Sequence, residues 1–151
     1  MNLPVIDKKI PAMTPHDIER VRELERELLA CPEQIEFPTE HVFHAGMYAR
    51  TIVMPAGCVM TGALIKRATM LILSGDAVVF YGQDVQRLSG YHVLPASAGR
   101  KQAFIAVDET RLTMLFPTTS QSVDEAEREF TDEYELLASH HCENRIVITG
   151  E

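Results

Sequence analysis

A chain of 151 residues with 46% hydrophobic and 24% charged side chains has the composition of one globular domain, long enough to bury a core without disulfides. Lys and Arg number 14 against 22 Asp and Glu, a net charge of -8 with no basic stripe, which argues against nucleic acid as a direct partner. Apolar runs such as Met70 to Leu73 are far too short to span a bilayer, and Met1-Asn2-Leu3-Pro4 lacks the basic region and apolar run of a secretory signal, so no membrane partner is expected.

Residues 1–13 carry Pro4 and Pro11 without any sustained period and read as an extended arm. Thr14-Pro15-His16-Asp17 then has the form of a helix start: a hydroxyl cap, proline at the first helical position and an acid in the first turn. Ile18, Val21, Leu24, Leu28 and Leu29 follow at helical spacing, which predicts an amphipathic helix over 14–31 ended by Pro32.

Residues 42–117 change to short β-type runs. The expected strands are Met47 to Met54, Val59 to Ile65, Thr69 to Leu73, Ala77 to Tyr81, Val85 to Leu88, Tyr91 to Leu94, Gln102 to Val107 and Arg111 to Phe116. Turns are expected between them, among them Ser74-Gly75-Asp76 and Ser89-Gly90. Short strands at that spacing predict a closed barrel or jelly roll that hides its edges, and the lack of helical segments between strands excludes an α/β fold.

Ser122-Val123-Asp124-Glu125 matches a capping box and opens a second amphipathic helix over 122–138 with an acidic outer face. In the tail, 139–151, Arg145 to Thr149 is β-prone and needs an edge to pair with, in this chain or in a neighbour. Cys31, Cys58 and Cys142 are odd in number, widely spaced and in no C-x-x-C arrangement. They form neither a disulfide framework nor a zinc ribbon and read as small apolar residues in a reducing compartment.

The stretch MPAGCVMTGALIKRATMLILSGDAVVF, Met54 to Phe80, has the order of strands and turns of a metal-holding barrel. It resembles the first motif of the cupin superfamily: glycine, five residues, His-x-His, three or four residues, glutamate, about six residues, glycine. Gly57 opens it and Gly75 closes it one residue early, with the ligand positions falling on Ala63, Ile65 and Thr69. The second motif is approximated by Gly90 and then Ser97-Ala98-Gly99, with Gln102 at the histidine position. The resemblance implies a mainly β chain: a single cupin-type double-stranded β-helix, a small jelly-roll barrel, between an N-terminal and a C-terminal helix. It also implies no bound metal or cofactor, since Ala63 and Ile65 donate nothing and Thr69 and Gln102 are neutral donors too weak alone.

From about Ile18 to Glu133 the chain is similar to the small cupin-like proteins of tailed bacteriophages and prophages. The likeness runs through LERELLACPEQIEFP, HVFHAGMYART, MPAGCVMTGALIK, ILSGDAVVF and SAGRKQAFIAVDETRLTMLFPT. That branch usually has histidine at the positions of Ile65 and Thr69. It implies a non-enzymatic structural or assembly protein of a phage particle, in head, neck or tail. The partners would be other copies of itself and further phage structural proteins, and the location the virion or the host cytoplasm.

Other readings compete with that one. An eight-stranded barrel holds one small ligand unless inward side chains fill it, and Ile65, Met70, Ile72, Val79 and Met114 are the residues expected to do so. His92 beside Tyr91 suggests a metal-free sugar isomerase or epimerase, against the ordinary reading of a strand histidine at the rim. Lys66 and Lys101 suggest cations for an anionic ligand at the barrel mouth, although Arg100-Lys101 beside Ala98-Gly99 reads as an exposed loop. His41 and His44 read as a loop pair, and His140-His141-Cys142 with Glu143 as a joint to the last strand.

Overall fold

Thr14 caps the first helix as its sequence predicts, its hydroxyl accepting the Asp17 amide, and α1 runs Pro15–Leu29. The structure, a computed structural model, describes residues 9–140 and 144–151. Residues 1–8 of the expected arm lie outside the described residues. The arm's end is stitched down: the buried Ile10 donates its amide to Pro95 O at 2.8 Å and accepts from the Ser97 amide.

Eight strands follow: β1 Thr39–His44, β2 Met47–Met54, β3 Val59–Thr61, β4 Thr69–Tyr81, β5 Asp84–Ala96, β6 Ala103–Ala106, β7 Thr110–Pro117 and, after the second helix, β8 Asn144–Ile148. They form one curled mixed sheet in the order β3-β6-β4-β7-β2-β1-β8, with β5 on the other edge of β4. The mainly β chain with a helix on each flank is the jelly-roll architecture that the cupin resemblance implies. Its edges are not hidden, however, because the pairing ends at β3 and β8 rather than closing.

Two expected turns are strand interiors. Thr69 to Tyr81 is one strand and Asp84 to Ala96 another, paired along their whole length with Gly75 opposite Gly90. Both glycines have positive φ, 145° and 91°, so the hairpin bends there without breaking. The bend sends Met70–Ser74 against β7 and Ala77–Phe80 against β6, so one hairpin serves both sides of the barrel. A glycine that the sequence offers as punctuation is here a corner.

The expected strand Val59 to Ile65 stops at Thr61. The Gly62 amide goes to Gln102 O and the Leu64 amide to a Glu133 carboxylate oxygen at 3.0 Å, and the chain rejoins the ladder only where Ile65 bridges Arg100. β1, absent from the expected strands, carries His41 and His44, which are therefore strand residues and not a loop pair. Arg145 to Thr149 finds its edge in the same chain, β8 lying parallel to β1 from Thr39↔Asn144 to Phe43↔Ile148.

Ser122 caps α2 as the capping box predicts, but α2 runs only Val123–Phe130. Thr131 is extended and ends it, and two short 3-10 turns, Tyr134–Leu136 and Ala138–His140, complete the segment. Odd-numbered residues of β4 face inward, so Leu71, Leu73, Ala77 and Val79 are buried while Met70 and Ile72 lie on the outer face, against expectation. Tyr48, Phe116 and Phe130 pack edge to face at the α2 end of this core.

Candidate functional site

The barrel interior is not filled. It holds a cavity of about 720 Å³, walled by Ile52, Ala63, Ile65, Leu71, Phe104, Leu112, Met114 and Phe130, with Arg50, Arg100, Gln102 and Thr61 as polar members, and it opens past Glu25, Glu33, Gln34 and Glu36. Leu29, Ile35 and Leu136, all exposed, lie at its rim between the end of α1 and the 3-10 turns. Three of the four positions where cupins place metal ligands, Ala63, Ile65 and Gln102, therefore line one space. The fourth, Thr69, is buried and tied to it through Arg100.

Arg100 is 1% exposed. Its Nη1 donates to Ser97 O at 2.8 Å and its Nη2 to Thr69 Oγ1 at 2.7 Å, with Met114 Sδ 3.9 Å away. Among the described residues no carboxylate pairs with it, and its Nε has no hydrogen-bond partner. Burial lowers its pKa to about 10, so it keeps its charge at neutral pH. Gln102, two residues on and lining the same cavity, is also buried with its Nε2 unpartnered.

These residues do not fit a metal. The hydroxyl at the Thr69 position is engaged by a fixed guanidinium, which repels a second cation, and Ala63 and Ile65 offer no donor. Among the described residues no three His, Cys, Asp or Glu side chains converge.

Lys101 corrects the reading of an exposed loop. It is 0% exposed, with Nζ donating to Glu25 of α1 at 2.9 Å and to Glu133 at 2.8 Å. Alternation along the extended segment sends Arg100 and Gln102 to one side and Lys101 to the other, where it joins helix and C-terminal segment to the barrel. Burial alone raises the Glu133 carboxyl, but the hydrogen bonds from Lys101 and the Leu64 amide, with the charges of Lys101 and Arg22, hold it below its ordinary value. Lys66 is at the surface, paired with Asp132 at 2.7 Å.

A second buried polar group stands behind the Arg50 and Phe130 wall. Arg50 donates to Glu127 Oε2 at 2.7 Å, and the same carboxylate takes the Ser139 hydroxyl and His140 Nε2, the latter at 3.0 Å. His41 bridges Tyr48 Oη at 2.6 Å and Asn144 Oδ1 at 2.7 Å. Burial lowers the His41 pKa and pushes the Tyr48 hydroxyl up to about 12, so both are neutral at neutral pH. This network locks the C-terminal segment to β1 and β2. Of the expected joint at 140–143, His141, Cys142 and Glu143 lie outside the described residues.

His92 does not reach the cavity. Its Nε2 lies 2.8 Å from Ser89 O, and Tyr91 beside it is 68% exposed on the outer surface of β5. His44 pairs with Thr149 Oγ1 at 2.7 Å near the chain end.

No protein-family model and no curated relative matches the chain. Solved structures similar in fold include a cupin superfamily protein from Desulfitobacterium hafniense, 14% identical over 60% of this chain and 84% of that one, with a TM-score of 0.45. The Cnp3 cupin domain from Schizosaccharomyces pombe is 20% identical over 70% and 80% of the two chains, with a TM-score of 0.44. A cupin-2 domain protein from Shewanella frigidimarina is 8% identical over 63% and 91%, with a TM-score of 0.44. These likenesses concern fold alone.

Proposed function

We propose that the barrel is a binding module for one small organic ligand held in its interior. The supporting observation is the cavity of about 720 Å³ at the centre of the sheet, within the range of small-molecule sites. Of the residues expected to plug it, Met70 and Ile72 face outward and Ile65 and Met114 form its wall, while Val79 is inward and buried as expected but lies outside the cavity's lining. Mostly apolar walls with three buried polar side chains, Arg50, Arg100 and Gln102, are the usual make-up of a site that binds by shape and is oriented by a few groups. Replacing Ala63 with Phe puts a ring into the cavity from its wall. Calorimetric titration with octan-1-ol is expected to show binding to the native protein and none to Ala63→Phe. Equal binding by both proteins, or failure of the native protein to bind either octan-1-ol or octanoate, would overturn the reading.

The second reading is the rigid block of a phage particle, built from copies of this chain. It is favoured by exposed apolar side chains at Met70, Tyr91 and Val93 on the outer β4–β5 face and at Ile146 and Ile148 on β8. The phage setting rests on the sequence resemblance. Light scattering that gives a monomer at working concentration would remove the oligomer, and with it the support for this second role.

A further inference from the structure

Every other cation buried in this protein among the described residues has a carboxylate. Arg50 has Glu127, and Lys101 has both Glu25 and Glu133. Arg100 has none, although it is as deeply buried as they are. A buried charge without a counter-charge is costly, by several kcal/mol even after relaxation. Two backbone and hydroxyl acceptors satisfy part of its five-donor fork and leave Nε open. On the same wall, Gln102 Nε2 is a second buried donor with nothing to donate to.

We infer that the ligand is an apolar monocarboxylate, its carboxylate seated on Arg100 and Gln102 and its hydrocarbon body against Leu71, Phe104, Leu112 and Met114. This rests on the interior-pocket reading and adds the ligand's chemistry to it. The charge of the ligand follows from the buried part of the wall: Arg50 is paired with Glu127 and Glu25 with Lys101, and the lining carboxylates Glu33 and Glu36 are exposed at the opening, so Arg100 is the one buried charge there left to match, which suits a single carboxylate better than a phosphate dianion. The apolar body follows from Leu71, Phe104, Leu112 and Met114 around Arg100, while the polar Glu33, Gln34 and Glu36 lie exposed at the opening, where a ligand end stays in contact with water. The exposed Leu29, Ile35 and Leu136 at the rim give such a molecule an apolar entrance.

The test is calorimetric titration of the whole chain with octanoate, octan-1-ol and inorganic phosphate. Octanoate is expected to bind about tenfold or more tightly than octan-1-ol, the worth of charge-assisted hydrogen bonds. Arg100→Met is expected to abolish that preference while still binding octan-1-ol, which shows the pocket intact. Gln102→Leu, which removes only an amide, is expected to weaken octanoate severalfold and leave octan-1-ol unchanged, and it tests the inference if Arg100→Met does not fold. Equal affinity for octanoate and octan-1-ol, or tighter binding of phosphate than of octanoate, would overturn the carboxylate inference and leave the pocket standing. Binding of neither octanoate nor octan-1-ol would overturn both.

Discussion

Arg100 donates to Thr69 across 2.7 Å, so the position that carries a metal ligand in cupins here anchors a fixed cation. A positive charge that belongs to the chain therefore lies on the wall of the barrel interior. Replacing Arg100 with Met removes two hydrogen bonds and relieves an unpaired buried charge, and the two effects offset. Urea unfolding of Arg100→Met without ligand is expected within about 1 kcal/mol of the native protein. A loss of about 3 kcal/mol or more would make Arg100 a structural brace instead.

Lys101 behaves in the opposite way. Its ammonium is the shared partner of Glu25 and Glu133, and Lys101→Met leaves those carboxylates facing each other with only the more distant Arg22, 3.4 Å from Glu133, in support. Removing one member of a buried pair costs about 3–5 kcal/mol, so this variant is expected to be strongly destabilised. Lys66→Ala, which breaks only the surface pair with Asp132, is expected to change stability by ~0.5 kcal/mol or less. Thermal unfolding of both variants, side by side, checks the contrast.

The corner of the barrel gives a graded pair. A Cβ on Gly75 would sit 2.6 Å from Glu109 O and 2.7 Å from Thr110 Cα, whereas one on Gly90 meets nothing within 4 Å. Gly90→Ala is expected to cost only the backbone strain of a positive φ, about 1–3 kcal/mol. Gly75→Ala adds the backbone clash and is expected to exceed that, to the point of losing the folded signal in circular dichroism. Equal stability of the two would mean that the β6–β7 turn yields freely.

How legible this was in the sequence depends on the range of the interaction. Thr14 and Ser122 are readable as caps because a cap acts within one turn, and β2 because its β-prone run is a local feature of the chain. Gly75 and Gly90 read as turns because a glycine flanked by strand formers looks the same at a turn and at a bend. Only the pairing of the whole hairpin distinguishes them. Met70 and Ile72 fell on the wrong face because the apolar run Met70 to Leu73 has no alternation to fix parity. Lys101 was read as exposed because its burial depends on Glu25 and Glu133, 76 and 32 residues away. The cavity depends on how inward side chains from distant strands meet, and Arg100 within it carries no local signal in the sequence.

Acid is expected to unfold the protein in two steps. His41 has a lowered folded pKa, so the unfolded chain takes up the proton first. The stability it confers is complete above its ordinary value of 6.5 and falls as pH drops below that. Glu133, also lowered, contributes stability that is complete above its ordinary value of 4.5 and is lost as pH falls through the folded value. Urea midpoints followed from pH 8 to pH 3 should stay level and then decline across these two windows. In His41→Gln the upper decline should disappear, and its persistence there would assign it to another group.

The central claim is that a ligand enters the barrel interior, and the methionines report on it directly. Met60 and Met114 line the cavity, while Met70 lies on the outer face of β4. With methionine methyl groups labelled with carbon-13, titration with octanoate is expected to shift the Met60 and Met114 methyl resonances in a saturable way and leave Met70 unmoved. Shifts confined to Met70, or no shift at Met60 and Met114 up to millimolar octanoate, would contradict the account.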